Sequence, residues 1–126
     1  MRAVVLQGLG GKAFVSGADI SEFDKTRSNA AQDKQYTQKA GIHATVKALK
    51  KPTIAMIQGY CMGGGFELVL QCDISIVADN AVFALPEVTH GFFPGGGACQ
   101  RLPRIVGVQK AKELILTGRR FDAKEA

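Results

Sequence analysis

Long apolar runs are missing from these 126 residues: nowhere do eighteen apolar residues follow one another, so no membrane-spanning helix is predicted. The opening Met1-Arg2-Ala3-Val4-Val5-Leu6 has too short an apolar stretch for a signal peptide and reads as a strand that begins almost at once. Cysteine is scarce. Cys61, Cys72 and Cys99 are odd in number and lack metal-ligand spacing, so they are expected to be buried free thiols in a reducing, cytoplasmic setting. No basic run is interleaved with aromatics, which argues against nucleic acid as a partner. His43 and His90 have neither a nucleophile elbow nor metal spacing around them, so no metal is expected.

What is present is an ordinary globular composition, 46% hydrophobic and 21% charged, enough for one domain over residues 1–126 with a real core. The net charge of +5 is modest, and Arg101, Arg104, Lys110, Lys112, Arg119 and Arg120 near the C-terminus supply part of it. Such a group is a solvated helix face or a bias towards an anionic, nucleotide-bearing ligand. Strands are predicted over Ala3–Gln7, Lys12–Val15, Thr53–Gln58, Asp73–Ala78 and Ala81–Leu85. Helices are predicted around Ile42, Val46 and Leu49, which recur at i, i+4 and i+7, then over Phe66–Gln71, Ala98–Ile105 and Val108–Leu116. Pro52 ends the first of these helices. Residues Lys25–Lys39 hold almost no large apolar side chain and suit a lid. Strands alternating with helices give an α/β fold.

The fifteen glycines cluster in four places. Gly8-Leu9-Gly10-Gly11 closes the first strand as a turn and lacks the spacing and following helix of a dinucleotide fingerprint. Ser16-Gly17-Ala18-Asp19-Ile20 and Met62-Gly63-Gly64-Gly65-Phe66-Glu67 can bring backbone N–H groups close to a substrate oxygen, the second at a helix start where amides lack partners. Glu67, in the first helical turn, and Glu87, between Leu85-Pro86 and Val88, each stand in apolar surroundings, which raises a carboxyl pKa towards neutrality. Backbone donors with two carboxylates fit acid–base chemistry beside a carbonyl. Asp19 and Asp73 read as turn or cap residues.

Taken with Cys72-Asp73, Leu85-Pro86-Glu87, Gly91, Pro94-Gly95-Gly96-Gly97 and Gln100-Arg101-Leu102-Pro103-Arg104, these phrases resemble, in order and spacing, the enoyl-CoA hydratase/isomerase (crotonase) superfamily. The resemblance implies a spiral of ββα turns, here a core incomplete at both ends, without the first ββα segment and the C-terminal trimerisation helices. It implies an acyl-CoA thioester as substrate and no separate cofactor, coenzyme A being part of the substrate. Backbone N–H groups of Ala18 and Gly64 are implied to form an oxyanion hole, with Glu67 and Glu87 flanking a water that adds across the α,β double bond. Ser16, Gly17, Asp19, Ile20, Gly63, Pro94 and Gly95 are implied to line the substrate and CoA site. A homo-oligomer, of the family's trimer type, is the expected assembly. Δ3,Δ2-enoyl-CoA isomerisation, which needs one carboxylate, and a non-catalytic acyl-CoA-binding remnant are the alternatives. Phe83, Phe92 and Phe93 either narrow an acyl pocket or belong to the core.

Overall fold

Each time the chain makes two successive strands it contributes one to each of two sheets. The computed structural model describes residues 2–19, 21 and 41–126. In chain order the described elements are β1 (Val4–Gln7), β2 (Ala13–Val15), α1 (Ile42–Ala48), β3 (Thr53–Ile57), β4 (Tyr60–Met62), α2 (Gly64–Val69), β5 (Ile74–Val77) and β6 (Val82–Ala84). A 3₁₀ turn (Pro86–His90), α3 (Ala98–Val106), α4 (Val108–Thr117) and β7 (Phe121–Asp122) follow. Strands β1, β3 and β5 form a parallel three-stranded sheet; β2, β4, β6 and β7 form the second, in which only the β6–β7 pair is antiparallel. The α/β expectation holds, and the strand alternation between sheets is the spiral of ββα turns.

Two short strands go beyond those predicted. Tyr60–Met62, just ahead of the Gly63 turn, is a strand: Cys61 pairs with Val15 on one side and Phe83 on the other. Flanking glycines hid it, because its pairing partners are distant in sequence. β7 was missed for the same reason: Phe121 finds its register against Phe83, far upstream. The expected lid, Lys25–Lys39, lies outside the described residues.

The core lies between the second sheet and helices α2–α4. Phe66, Phe83 and Phe121 form its centre, with ring centroids 5.4–5.6 Å apart in tilted, edge-on and stacked pairs. Leu68, Leu102 and Leu114 close around them, and burying each such side chain contributes about 1.5–3 kcal/mol. Phe83 is therefore core. The first sheet is different. Register sets Ile54 between Val5 and Ile74, and Met56 beside Ile76, so these residues share one face of the sheet, on which Val5, Ile74 and Ile76 are more than half exposed. Asp73, expected as a turn or cap residue, ties the start of β5 to the start of the central strand β3: its Oδ2 accepts both the N–H and the hydroxyl of Thr53 at 2.7 Å. These bonds hold its carboxyl below the usual carboxylate range.

Candidate active site

A strand ending at Met62 must turn sharply into α2, and Gly63 makes that turn at φ 51°, ψ −121°, a conformation that side chains resist. The turn is pinned by the Gly63 N–H donating to Ala84 O at 2.9 Å, and it delivers the Gly64 amide as the first of α2, without an intrahelical acceptor. The Ser16–Asp19 loop leaves β2 next to it. A Cβ on Gly17 would sit 3.2 Å from Met62 O and 3.9 Å from Gly64 N. Two loops 46 residues apart in sequence are thus brought within van der Waals reach, with Ala18 and Gly64 on one cleft of about 650 Å³.

Both carboxylates reach that cleft, and a glycine makes room for each. A Cβ on Gly63 would lie 3.0 Å from Glu87 Oε1, and one on Gly96 only 2.3 Å from Glu67 Oε2. Any larger residue at 96 would displace the Glu67 carboxylate. Glu67 is 4% exposed, because the rest of α2 from Gly65 to Val69 is buried around it. Its Oε1 accepts the N–H of Ala98, the first residue of α3, at 3.1 Å. Glu87 is 7% exposed, and its Oε2 is buried with no hydrogen-bond partner among the described residues. Burial pushes the Glu87 carboxyl above its usual range, and the nearby Glu67 charge adds to the rise. The two carboxylates therefore have unequal surroundings: one accepts a helix amide, and the other has a buried oxygen with no partner among the described residues.

The described residues lining the cleft include Ser16, Gly17, Ala18, Gly63, Gly64, Glu67, Glu87 and Gly95, so the glycine phrases and both glutamates converge. Asp19 and Pro94 are not on this lining: Asp19 Oδ1 accepts the Ser21 N–H at 3.0 Å and hydroxyl at 2.7 Å, a turn as expected, while buried Pro94 offers its carbonyl to Cys99 Sγ. Ile20 lies outside the described residues. Phe92 and Phe93 line the cleft, beside His90. His43 also lines it, which the sequence did not signal: it arrives from α1, and the partner that orients it, Gln71, is 28 residues further on. Among the described residues no group of three His, Cys, Asp or Glu side chains could hold a metal.

The cysteines correct one expectation. All three are free, but only Cys61 is buried; Cys72, in the turn after α2, and Cys99, in the first turn of α3, are partly exposed. No described helix is long and apolar enough to cross a membrane.

Residues 1–126 match the sequence profile of a family described as enoyl-CoA hydratase/isomerase. The chain is 42% identical to the short-chain-enoyl-CoA hydratase of Clostridium acetobutylicum, over 98% of this chain and 47% of that protein. It is 44% identical to the mitochondrial enoyl-CoA hydratase domain-containing protein 2 of Homo sapiens, over 90% of this chain and 38% of the relative. A crystal structure of enoyl-CoA hydratase from Bacillus anthracis superimposes with a TM-score of 0.88 at 45% identity, covering 99% of this chain and 48% of that one. An enoyl-CoA hydratase/carnithine racemase from Magnetospirillum magneticum gives a TM-score of 0.89 at 41% identity, over 100% and 48%. The chain thus spans about half the length, or less, of these relatives.

Proposed function

Because the chain belongs to the enoyl-CoA hydratase/isomerase family and has its crotonase fold, we propose that its cleft adds water reversibly across the α,β double bond of a 2-enoyl-CoA thioester. The observation that carries this reading is the pair of buried carboxylates in unequal surroundings on one cleft with the Gly64 amide.

In this reading the N–H groups of Ala18 and Gly64 hold the thioester oxygen as negative charge develops on it. A preorganised donor of this kind is worth about 3–4 kcal/mol in the transition state. Water attacks the β-carbon while Glu67 takes its proton. Glu87, whose carboxyl burial raises above its usual range, gives its proton to the α-carbon. The reverse sequence dehydrates a 3-hydroxyacyl-CoA. Coenzyme A enters as part of the substrate, and the chemistry needs no other cofactor. Isomerisation of a 3-enoyl-CoA would engage only one carboxylate as proton carrier, and would leave the second buried acid without a task.

The test is product analysis with crotonyl-CoA in ¹⁸O-water. Hydration predicts loss of the conjugated enoyl-thioester absorbance with the label on the β-carbon. Appearance of that absorbance from a 3-enoyl-CoA, with no label taken up from crotonyl-CoA, would contradict it.

A further inference from the structure

One imidazole on the cleft wall has its proton placed by the chain and no part in the hydration just described. His43 lies near the start of α1, between Ile42 and Ala44. Its Nε2 is 3.8 Å from where a Cβ on Gly64 would sit, so it belongs to the same stretch of wall as the Gly64 amide. On the other edge of the ring, Nδ1 is 3.0 Å from Gln71 Nε2. That amide nitrogen also donates to Gly96 O at 3.3 Å, and the same carbonyl accepts Arg101 Nη1 at 3.1 Å.

These contacts decide the tautomer. A carbonyl can only accept, so Gly96 O requires the NH₂ end of Gln71 to face it. Turning the amide over would set Oε1 against Gly96 O, two acceptors in contact. In the orientation observed, Oε1 is buried with no hydrogen-bond partner among the described residues. The NH₂ group then needs a lone pair on His43 Nδ1, and the neutral ring carries its proton on Nε2. Among the described residues that N–H has no hydrogen-bond acceptor, and it faces the Gly64 backbone on a cleft whose lining also includes Ile42, Ala44 and Leu68.

Building on the proposed acyl-CoA reading, we propose that His43 is a specificity residue: its Nε2–H selects acyl chains that carry an oxygen acceptor over plain hydrocarbon chains. A hydrocarbon chain laid on this wall strips water from the N–H and leaves it unpaired; a hydroxyl or carbonyl oxygen restores the bond. Sites built to hydrogen-bond a ligand reject the analogue that lacks the partner. His43 contacts the ligand, and Gln71 is the positioning residue that acts through it.

Two measurements on the chain test this. Imidazole ¹⁵N shifts read the tautomer directly, with His43→Leu assigning the resonance: a pyridine-like Nδ1 and pyrrole-like Nε2 are expected, and the reverse pattern overturns the proposal. Calorimetric binding then compares butyryl-CoA with 4-hydroxybutyryl-CoA, and pentanoyl-CoA with 5-hydroxypentanoyl-CoA. In at least one pair the hydroxyacyl thioester should bind about tenfold more tightly. That preference should vanish in His43→Leu and shrink in Gln71→Met, while the plain acyl-CoA binds either variant no worse than the parent. Binding without preference, a preference that survives His43→Leu, or an equal loss for both members of a pair overturns the proposal and leaves the acyl-CoA reading standing. Failure of the parent to bind any of the four overturns both.

Discussion

Placing a methyl group on Gly96 isolates the claim that this backbone was left bare for Glu67. Gly96 does not have a positive φ, so alanine strains nothing in the backbone, and the effect of Gly96→Ala is purely one of space. The new Cβ would meet Glu67 Oε2 at 2.3 Å and Cδ at 2.8 Å, so the carboxylate or the loop must retreat by about 1 Å to reach ordinary contact. Glu67 is 4% exposed and cannot swing into water without disturbing α2. Overpacking of this size costs about 1–3 kcal/mol. Pulling Oε1 from the Ala98 N–H, now 3.1 Å away, costs about another 1–2 kcal/mol. Against this, alanine narrows the unfolded ensemble and returns about 0.5–1 kcal/mol. The net expectation is a loss of about 1–4 kcal/mol, read as a lower urea midpoint at unchanged slope. Introduced into Glu67→Ala, where the clash is gone, the same change should be neutral or stabilising, so the double-mutant cycle should show a coupling of at least about 1 kcal/mol. Gly96→Ala with parental stability, or with the same cost in both backgrounds, would refute the placement of Glu67 against this loop.

Glu87→Gln should change the pH dependence of stability in a defined direction. A carboxyl whose folded pKa lies above its usual 4.5 contributes stability that is present below that value and lost as pH rises through the folded pKa. The variant's stability relative to the parent should therefore improve from acid to neutral pH in urea titrations; a flat or declining difference would show that Glu87 is not desolvated. Burial pushes the Cys61 thiol up to about 12, so iodoacetamide at pH 8 should modify it only after unfolding, as read by mass spectrometry of the labelled peptides. Labelling of Cys61 as fast as Cys99 would contradict its place in the core. Phe83→Ala opens the centre of the aromatic cluster and should cost about 3–5 kcal/mol, with a drop below about 2 arguing that Phe66 and Phe121 do not close on it.

Much of the site was legible because glycine leaves a mark wherever backbone must come close to something. The phrases at Gly17 and Gly63-Gly64-Gly65 line one cleft, and so do the two glutamates, which stood out against apolar neighbours. The helices were legible from spacing: Ile42, Val46 and Leu49 gave α1 to within a residue, and Pro52 its limit. What stayed hidden depends on partners far along the chain. β4 and β7 are too short to carry a pattern, and exist through pairing with β6. His43 looked isolated because Gln71, the residue that orients it, is an ordinary polar residue in the turn after α2. Cys99 had an apolar neighbour in sequence, yet it and Cys72 are only partly buried. Burial is decided by which face of an element turns inward, and neighbours in sequence do not report that.

The most direct test of the account is the rate of crotonyl-CoA hydration by the chain beside Glu67→Gln, Glu87→Gln and the double variant, each checked for parental folding and acyl-CoA binding. If the two carboxylates share one proton circuit, each single change should lower the rate by about 10²–10⁴-fold, and the double variant should fall little further than the worse single one. A folded, binding-competent variant of either glutamate that hydrates at the parent's rate would contradict the two-carboxylate mechanism.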